Sequence, residues 1–388
     1  MLYPWLDWQR QGVEALLSLT RLTSSMSPLD AALLHPTREL LARTLAAGAA
    51  RERPVEAVVR ADAPFAVRAE TAAATPFVRL VRLRGPARSG RGFVVLAPHS
   101  GYAVAVLSPL LTTLLTLGEV LVTDWIDGRM VPAAAGGFGL PEQIAVCLEA
   151  VGDLEGEAHL VAVSQSGPAS LAAAALLASH TSGRAPASLV FLGCQLDPRV
   201  SPTPLQQMLA GWPRELLHAG LTAKVAADYP GRGRRVYPSV LQLLAYGMAS
   251  PGLYAEVQRG LLHELAFGRA GEFDRQHADI HSLLDVPSEL FMHMLAWTLD
   301  RAPWRRGMPV LAGTGYDLSP LRHAPVLTLE AGLDELVGAG QTHGLGKRLA
   351  GTRGLTLPAA RHHDLFTGHG FLTLVAPLLR EFYLEIGR

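Results

Sequence analysis

The segment His159-Leu-Val-Ala-Val-Ser-Gln-Ser-Gly167 runs into Pro-Ala-Ser-Leu-Ala-Ala-Ala-Ala-Leu-Leu and reads as strand, tight turn, helix. A serine at such a turn is a candidate nucleophile for acyl transfer, because the sharp turn lifts its hydroxyl above the sheet edge. The turn also needs small residues two before and two after the nucleophile, where chain passes close to chain. Here these are Ala162 and Ser166, not the glycines of G-x-S-x-G, so the letter pattern fails while its steric reason is met. The helix N-terminus behind Ser164 favours developing negative charge. The competing reading is an ordinary strand-to-helix turn capped by Ser164 or Ser166.

A hydrolase built on such a serine places its acid and then its base later in the chain, each past a strand end. After the apolar run Ala324–Ala331 comes Gly332-Leu-Asp334-Glu335. After Gly354–Ala360 comes Arg361-His362-His363-Asp364. Asp334 would hold an imidazole in the right tautomer and stabilise its cation. His362 would take the proton of Ser164 and deliver it to the leaving alkoxide. Glu335 remains a rival for the acid, and His363 or His369 for the base. An oxyanion hole needs the backbone N–H after the nucleophile, which Gln165 supplies, and a second from the loop after an earlier strand. Pro98-His99-Ser100-Gly101 is such a loop, with His99 as the expected donor. It also reads as a plain turn in which Gly101 supplies backbone freedom.

Other polar clusters receive plainer readings. His277 and His281 stand at i, i+4, but without the Glu of HExxH or a clear third ligand; no metal is expected. Asp124 and Asp127 precede the serine in sequence and are taken as structural. Arg232, Arg234 and Arg235 are expected to form a solvated or anchoring turn. Cys194 follows a strand but no elbow-like helix. Two cysteines, Cys147 and Cys194, cannot form a disulfide framework.

These candidates need a scaffold that brings strand ends together. Apolar strand-like runs occur at 76–85, 92–98, 119–125, 159–164, 187–194, 324–331 and 354–360, with Ala/Leu-rich helical segments between many of them. Continuous apolar strands alternating with helices imply an α/β fold, a mostly parallel sheet covered on both faces. Residues 1–60 read as a helical extension broken at Pro28 and Pro36. Between 204 and 304 no good strand is expected. Helical runs with a heavy aromatic load suggest a cap inserted over the edge where ligands bind, with 61–203 and 305–388 as the core; the alternative is a second helical layer with no binding role.

The chain has 388 residues, 34 basic against 34 acidic, and 49% apolar residues. Disorder is excluded, and so is the basic footprint of a nucleic-acid protein. Only Lys224 and Lys347 among the basic residues are lysine. Asp7 and Arg10 stand where a signal peptide would be apolar. Ala103–Gly118, the most hydrophobic stretch, falls short of the ~20 residues of a membrane span and contains Ser108, Pro109, Thr112, Thr113 and Thr116, so a buried helix is expected. A soluble, cytoplasmic protein follows; a homodimer is one option for its assembly.

Several segments together resemble the intracellular polyhydroxyalkanoate (polyhydroxybutyrate) depolymerases: Met1-Leu-Tyr, Trp8 to Gln11, Ala97 to Gly101, Val122 to Pro132, the turn at Ser164, Tyr229 to Pro238, Leu329-Glu330, Gly338 to Thr342, and His362 with Phe366-Thr-Gly368. The resemblance spans nearly the whole chain. It implies an α/β-hydrolase that cleaves the ester bonds of a stored (R)-3-hydroxyacid polyester. It also implies a cytoplasmic, granule-associated enzyme without cofactor, with Ser164, Asp334 and His362 as nucleophile, acid and base. The departure is at the nucleophile: members of that family carry Cys-Gln-Pro where this chain has Ser164-Gln165-Ser166. This is either a natural serine variant or a Cys→Ser replacement; because Ser166-Gly167 also differs, the whole turn is rewritten, which favours a natural serine. Three other functions stay open: hydrolysis of short soluble esters or oligomers, polymer synthesis from a coenzyme A thioester, and granule binding without catalysis.

Overall fold

The computed structural model describes residues 18, 35–36, 38–43, 54–99, 104–154, 156–179, 185–267, 271–300, 303–305 and 308–387. Most of the expected N-terminal helical extension lies outside the described residues. Its end is helix α1 (Val55–Asp62), which buries Val55 and Val59 against the sheet domain.

One eight-stranded sheet organises the chain: β1 (Arg68–Ala74), β2 (Val78–Arg84), β3 (Arg91–Leu96), β4 (Glu119–Trp125), β5 (Glu157–Val163), β6 (Ser188–Leu192), β7 (Val326–Ala331) and β8 (Thr352–Leu357). The order is β1-β2-β4-β3-β5-β6-β7-β8. The first two strands pair antiparallel, β2 pairs antiparallel with β4, and every later pairing is parallel. Strands β3 to β7 are almost wholly buried, because helices cover both faces and each parallel strand needs apolar side chains on both sides. These helices include α2 (Ser108–Leu115), α3 (Leu140–Gly152), α4 (Gly167–Ser179) and the C-terminal helix Ala376–Glu385. This strand order and orientation is the α/β-hydrolase fold. Helix α2 is the expected buried helix, with Leu110, Leu111, Leu114 and Leu115 inaccessible. Among the described residues no helix is long and apolar enough to cross a membrane.

The register aligns the strands' carboxyl ends. Leu96 pairs with Ala162, Val163 with Leu192, and Leu192 with Leu329. The loops after β3, β5, β6 and β7 therefore open along one edge, where ligands of open parallel sheets bind.

Two features depart from the sequence reading. Strand β1, RAETAAA, was not expected: it is a mostly exposed edge strand, poor in β-branched residues, held by its pairing with β2. The stretch expected to lack strands does contain short ones. Ala223–Lys224, Arg235–Tyr237 and Val286–Pro287 make a small antiparallel sheet, and Trp304–Arg305 begins a second with Met308–Leu311 and Thr314–Gly315. Strands of two to four residues are too short to leave a periodicity in sequence. The remainder of that stretch is helical: α5 (Pro204–Ala210), α6 (Arg214–Leu221), α7 (Ser239–Ala249), α8 (Pro251–Ala266), α9 (Glu272–His281) and α10 (Ser288–Leu299). Leu290, Met294 and Trp297 of α10 join the main core, whereas Tyr246, Val257 and Ile280 form a separate small cluster.

Candidate active site

Strand β5 ends at Val163, and Ser164 turns the chain with φ +53°, left-handed backbone in a residue other than glycine. Such a conformation costs of order 1–3 kcal/mol and persists only where its surroundings enforce it. Two neighbours do so here. Ser166, fully buried, donates its hydroxyl to Leu96 O of β3 (2.8 Å) and accepts the N–H of Val163 (2.9 Å). Gly167 opens α4 against Cys194: a Cβ there would lie 2.5 Å from Cys194 Cβ. The strict need for glycine has moved from the second to the third position after Ser164. The second position instead carries a hydroxyl that ties the turn to the neighbouring strand.

The structure brings three of the candidates into one hydrogen-bonded run. Ser164 Oγ lies 3.0 Å from His362 Nε2, and His362 Nδ1 lies 2.7 Å from Asp334 Oδ2. The other oxygen of Asp334 accepts the backbone N–H groups of Leu336 and Val337, both at 2.9 Å. All three side chains are buried, Ser164 retaining 8% exposure and His362 6%. Burial alone would raise the pKa of Asp334. The His362 ring and the two backbone N–H groups outweigh it and hold the carboxyl below its ordinary value.

The loops that carry this run are fastened to each other. Gly332 N donates to Leu357 O (2.8 Å) and Leu333 N to Ala360 O (3.0 Å), so two backbone hydrogen bonds join the acid's loop to the base's loop. Gly193, after β6, has φ +57°, and a Cβ on it would come within 3.0 Å of His362 Cε1. Its bare backbone leaves the ring its place. Gln195 links the helical layer to the same loops. Its carbonyl accepts Trp297 Nε1–H (2.7 Å), its Oε1 accepts the hydroxyl of Thr298 (3.0 Å), and its Nε2 donates to Leu336 O (3.3 Å).

Ser164 and His362 sit in the wall of a cavity of about 410 Å³. Gln165 and His99 line it beside them; Leu205, Leu209, Leu241 and Met294 from the helical layer form much of the rest. Met208, Leu244 and Met248 border it and are more than half exposed. The arrangement suits an uncharged, mostly apolar substrate that presents one polar, attackable group to Ser164.

The rival residues stand elsewhere. Glu335 is exposed and borders the cavity. His363 packs edge-on against Tyr246 (ring centroids 5.6 Å apart), and burial pushes its pKa down to about 3. His369 is exposed on the short turn Gly368–Gly370. Cys194 donates its thiol to Ala162 O (3.5 Å) beneath the turn, and burial pushes its pKa up; such a thiol is a poor nucleophile. Asp124 pairs with Arg79, and Asp127 caps the turn Gly128–Met130. Arg234 donates to the carbonyls of Val131, Pro132 and Gly136, anchoring the turn 229–238 to the loop after β4. His281 Nδ1 donates to His277 O (2.8 Å), and the two rings lie tilted at 34° with centroids 4.0 Å apart. Among the described residues no group of three or more His, Cys, Asp or Glu gathers as a metal site would require.

Two contributors were not foreseen from sequence. One is the bond from the Ser166 hydroxyl to Leu96 O of β3, since the sequence marks that residue only as small and as a possible cap. The other is Gln143 of α3, whose amide Nε2 lies 2.9 Å from His99 Nδ1. Gln143 is an ordinary polar residue on an amphipathic helix, and nothing in its spacing marks it.

Comparison with known proteins adds a family. The model of the PHB de-polymerase C-terminus matches residues 193–386, half of the chain. No curated protein matches it. Among solved structures the chain is similar to the naproxen esterase (carboxylesterase NP) of Bacillus subtilis, at 10% identity over 85% of this chain and 95% of that one, with a TM-score of 0.49. It is also similar to carboxylesterase CesB of Bacillus subtilis (11% identity, 87% and 98%, TM-score 0.47). An α/β-hydrolase fold protein of Nakamurella multipartita is a third (16%, 83% and 100%, TM-score 0.46).

Proposed function

The chain belongs to the PHB depolymerase family and is a carboxylic ester hydrolase, and we propose that it hydrolyses the ester bonds of a stored poly(3-hydroxyalkanoate), polyhydroxybutyrate in the first instance. Ser164 attacks the ester carbonyl while His362 Nε2 takes its proton. The negative oxygen of the tetrahedral intermediate is held by the backbone N–H of Gln165 and a second donor at His99. His362 then returns the proton to the leaving alkoxide, which is the shortened polymer or oligomer. The same ring activates water to release the acyl group as hydroxyacid. Asp334 keeps the imidazole in the tautomer whose Nε2 accepts, and stabilises the imidazolium. No cofactor enters this scheme.

The observation that carries the reading is the hydrogen-bonded run Asp334–His362–Ser164 opening into an apolar cavity. A serine hydroxyl is a poor nucleophile without a well-aligned base, so the 3.0 Å contact to His362 matters more here than it would for a thiolate. The reading includes residues 204–304 as a lid over a core of 61–203 and 305–388, and a cytoplasmic enzyme acting at the granule surface. Incubation with native amorphous polyhydroxybutyrate granules tests it: release of 3-hydroxybutyrate or its oligomers, identified by mass, is expected. Turnover of p-nitrophenyl butyrate with no release from granules would reassign the protein to short soluble esters. Granule binding without hydrolysis of either substrate would make it a binding protein.

A further inference from the structure

One acidic side chain borders the cavity beside Ser164. Glu335 is exposed, and among the described lining residues it stands with no Lys, no Arg and no other Asp or Glu. It follows Asp334 on the loop after β7, and Leu336 and Val337 beyond it line the cavity as well. That loop is pinned. Leu336 N and Val337 N both donate to Asp334 Oδ1 (2.9 Å each), and Leu336 O accepts a hydrogen bond from Gln195 Nε2 (3.3 Å). The backbone of Glu335 is therefore fixed at the border of the cavity.

The charge of Glu335 is felt in the wall. Tyr246 lines the cavity and is 7% exposed. Burial is the main cause that raises its phenol pKa; the Glu335 carboxylate adds to the rise and Arg361 opposes it. Arg361 also lies 3.6 Å from Glu256, so its one positive charge faces two carboxylates. Most of the remaining wall is apolar, with Leu205, Leu209, Leu241 and Met294 among its residues. An ester bond inside a polyester chain is neutral, whereas each product of its hydrolysis carries a free carboxylate. Moving that carboxylate from water into an apolar cavity is costly without a cation to meet it. A like charge at the border adds a repulsion that salt screens.

From this arrangement, and resting on the reading of Ser164 as nucleophile and of this cavity as its substrate site, we infer that Glu335 is a specificity-determining residue: its carboxylate disfavours esters that carry a free carboxylate close to the bond to be cleaved. Neutral ester bonds inside a chain are thereby sorted from the acidic ends of short products. Glu335 makes no bond to the substrate and moves no proton; those roles stay with Ser164 and His362. Short oligomer acids then compete weakly with polymer for the cavity.

The test gives the full-length enzyme two matched substrates at pH 7: the linear dimer of (R)-3-hydroxybutyrate, whose single ester bond lies next to a free carboxylate, and the same dimer ending in a carboxamide. The ratio of their kcat/KM values is read, so that any general loss of activity cancels. The parent is expected to prefer the amide by at least about tenfold. Two like charges near contact in water change an equilibrium about fivefold, so Glu335→Gln is expected to narrow the ratio about fivefold and Glu335→Lys about 25-fold. Added salt is expected to narrow the ratio in the parent and to leave that of Glu335→Gln nearly unchanged. Glu157→Gln makes the same change of charge at the start of β5, on the far edge of the sheet, and is expected to leave the ratio as it is. A parent without preference, or an unchanged ratio in both Glu335 variants, would overturn the inference. So would an equal narrowing in Glu157→Gln, which would make the effect one of net charge. Ser164→Ala is measured alongside: if that variant stays active, the nucleophile reading fails, whereas an inactive Ser164→Ala with an unchanged ratio in the Glu335 variants removes this inference alone.

Discussion

Replacing Asp334 by Asn should abolish most hydrolysis while leaving the fold nearly intact, and the reason lies in which way the new amide must face. One carboxylate oxygen of Asp334 accepts the N–H groups of Leu336 and Val337, and the other faces His362 Nδ1 at 2.7 Å. In Asp334→Asn only the side-chain carbonyl oxygen can accept, so the two backbone donors capture it. The amide NH₂ is then turned toward His362 Nδ1 and donates to it. That forces the ring proton onto Nε2, where it faces Ser164 Oγ at 3.0 Å as a donor instead of an acceptor. The base is lost and the imidazolium has no counter-charge. The same substitution in a serine triad lowers kcat about 10⁴-fold, equivalent to about 5.4 kcal/mol at 1.36 kcal/mol per tenfold. The assay is steady-state hydrolysis of p-nitrophenyl butyrate at pH 7, with thermal melting in parallel. Both backbone bonds survive, so the melting temperature should move by only a few degrees. A kcat within tenfold of the parent, in a folded protein, would show that Asp334 does not set the tautomer of His362.

The left-handed backbone of Ser164 implies that Ser164→Gly melts higher than Ser164→Ala, by roughly 1 kcal/mol, although both are inactive; equal melting temperatures would mean that the turn stores no strain. Ser166→Gly restores the usual glycine two residues after the nucleophile but removes the bonds to Leu96 O and Val163 N. It should lower stability by about 1–3 kcal/mol, and a melting temperature at or above the parent's would contradict the role assigned to that hydroxyl. Burial holds His159 at a pKa of about 4, with Nδ1 within 2.9 Å of Ser188 Oγ. Its depressed value makes the unfolded chain bind the proton first, so its stabilising contribution is present above about pH 6.5 and is lost progressively as the pH falls toward 4. His159→Phe should therefore flatten the fall of stability with acid by up to one proton's slope, and an unchanged slope in denaturant titrations at several pH values would argue against it.

What could be read from the sequence follows from the length scale of the signal. Strands β3 to β7 are buried on both faces, so each appears as a mostly apolar run, and their alternation with helices specifies the parallel sheet. Strand β1 lacks that signal because an exposed edge strand needs no apolar face. The short strands among the helices at 223–224, 235–237 and 286–287 are fixed by tertiary pairing alone. At the site, strand-end position marks Ser164 and narrows the partners to Asp334 or Glu335 and to His362, His363 or His369; the hydrogen bonds among Ser164, His362 and Asp334 depend on side-chain direction, which no local pattern carries. The steric demand for a small residue is met one position later than the usual motif states, at Gly167, because the residue that crowds it is Cys194, from the loop after β6. His99 could be placed near the site by its loop. The direction of its ring depends on Gln143 and Trp125, and no local pattern connects those three residues.

In the proposed mechanism Ser164 carries the acyl group of the polyester. Rapid acid quench of the enzyme with amorphous polyhydroxybutyrate granules, followed by peptide mass mapping, tests it most directly. A hydroxybutyryl ester is expected on the peptide containing Ser164, absent in Ser164→Ala. An adduct on another residue such as Cys194, or sustained polymer hydrolysis by Ser164→Ala, would contradict it.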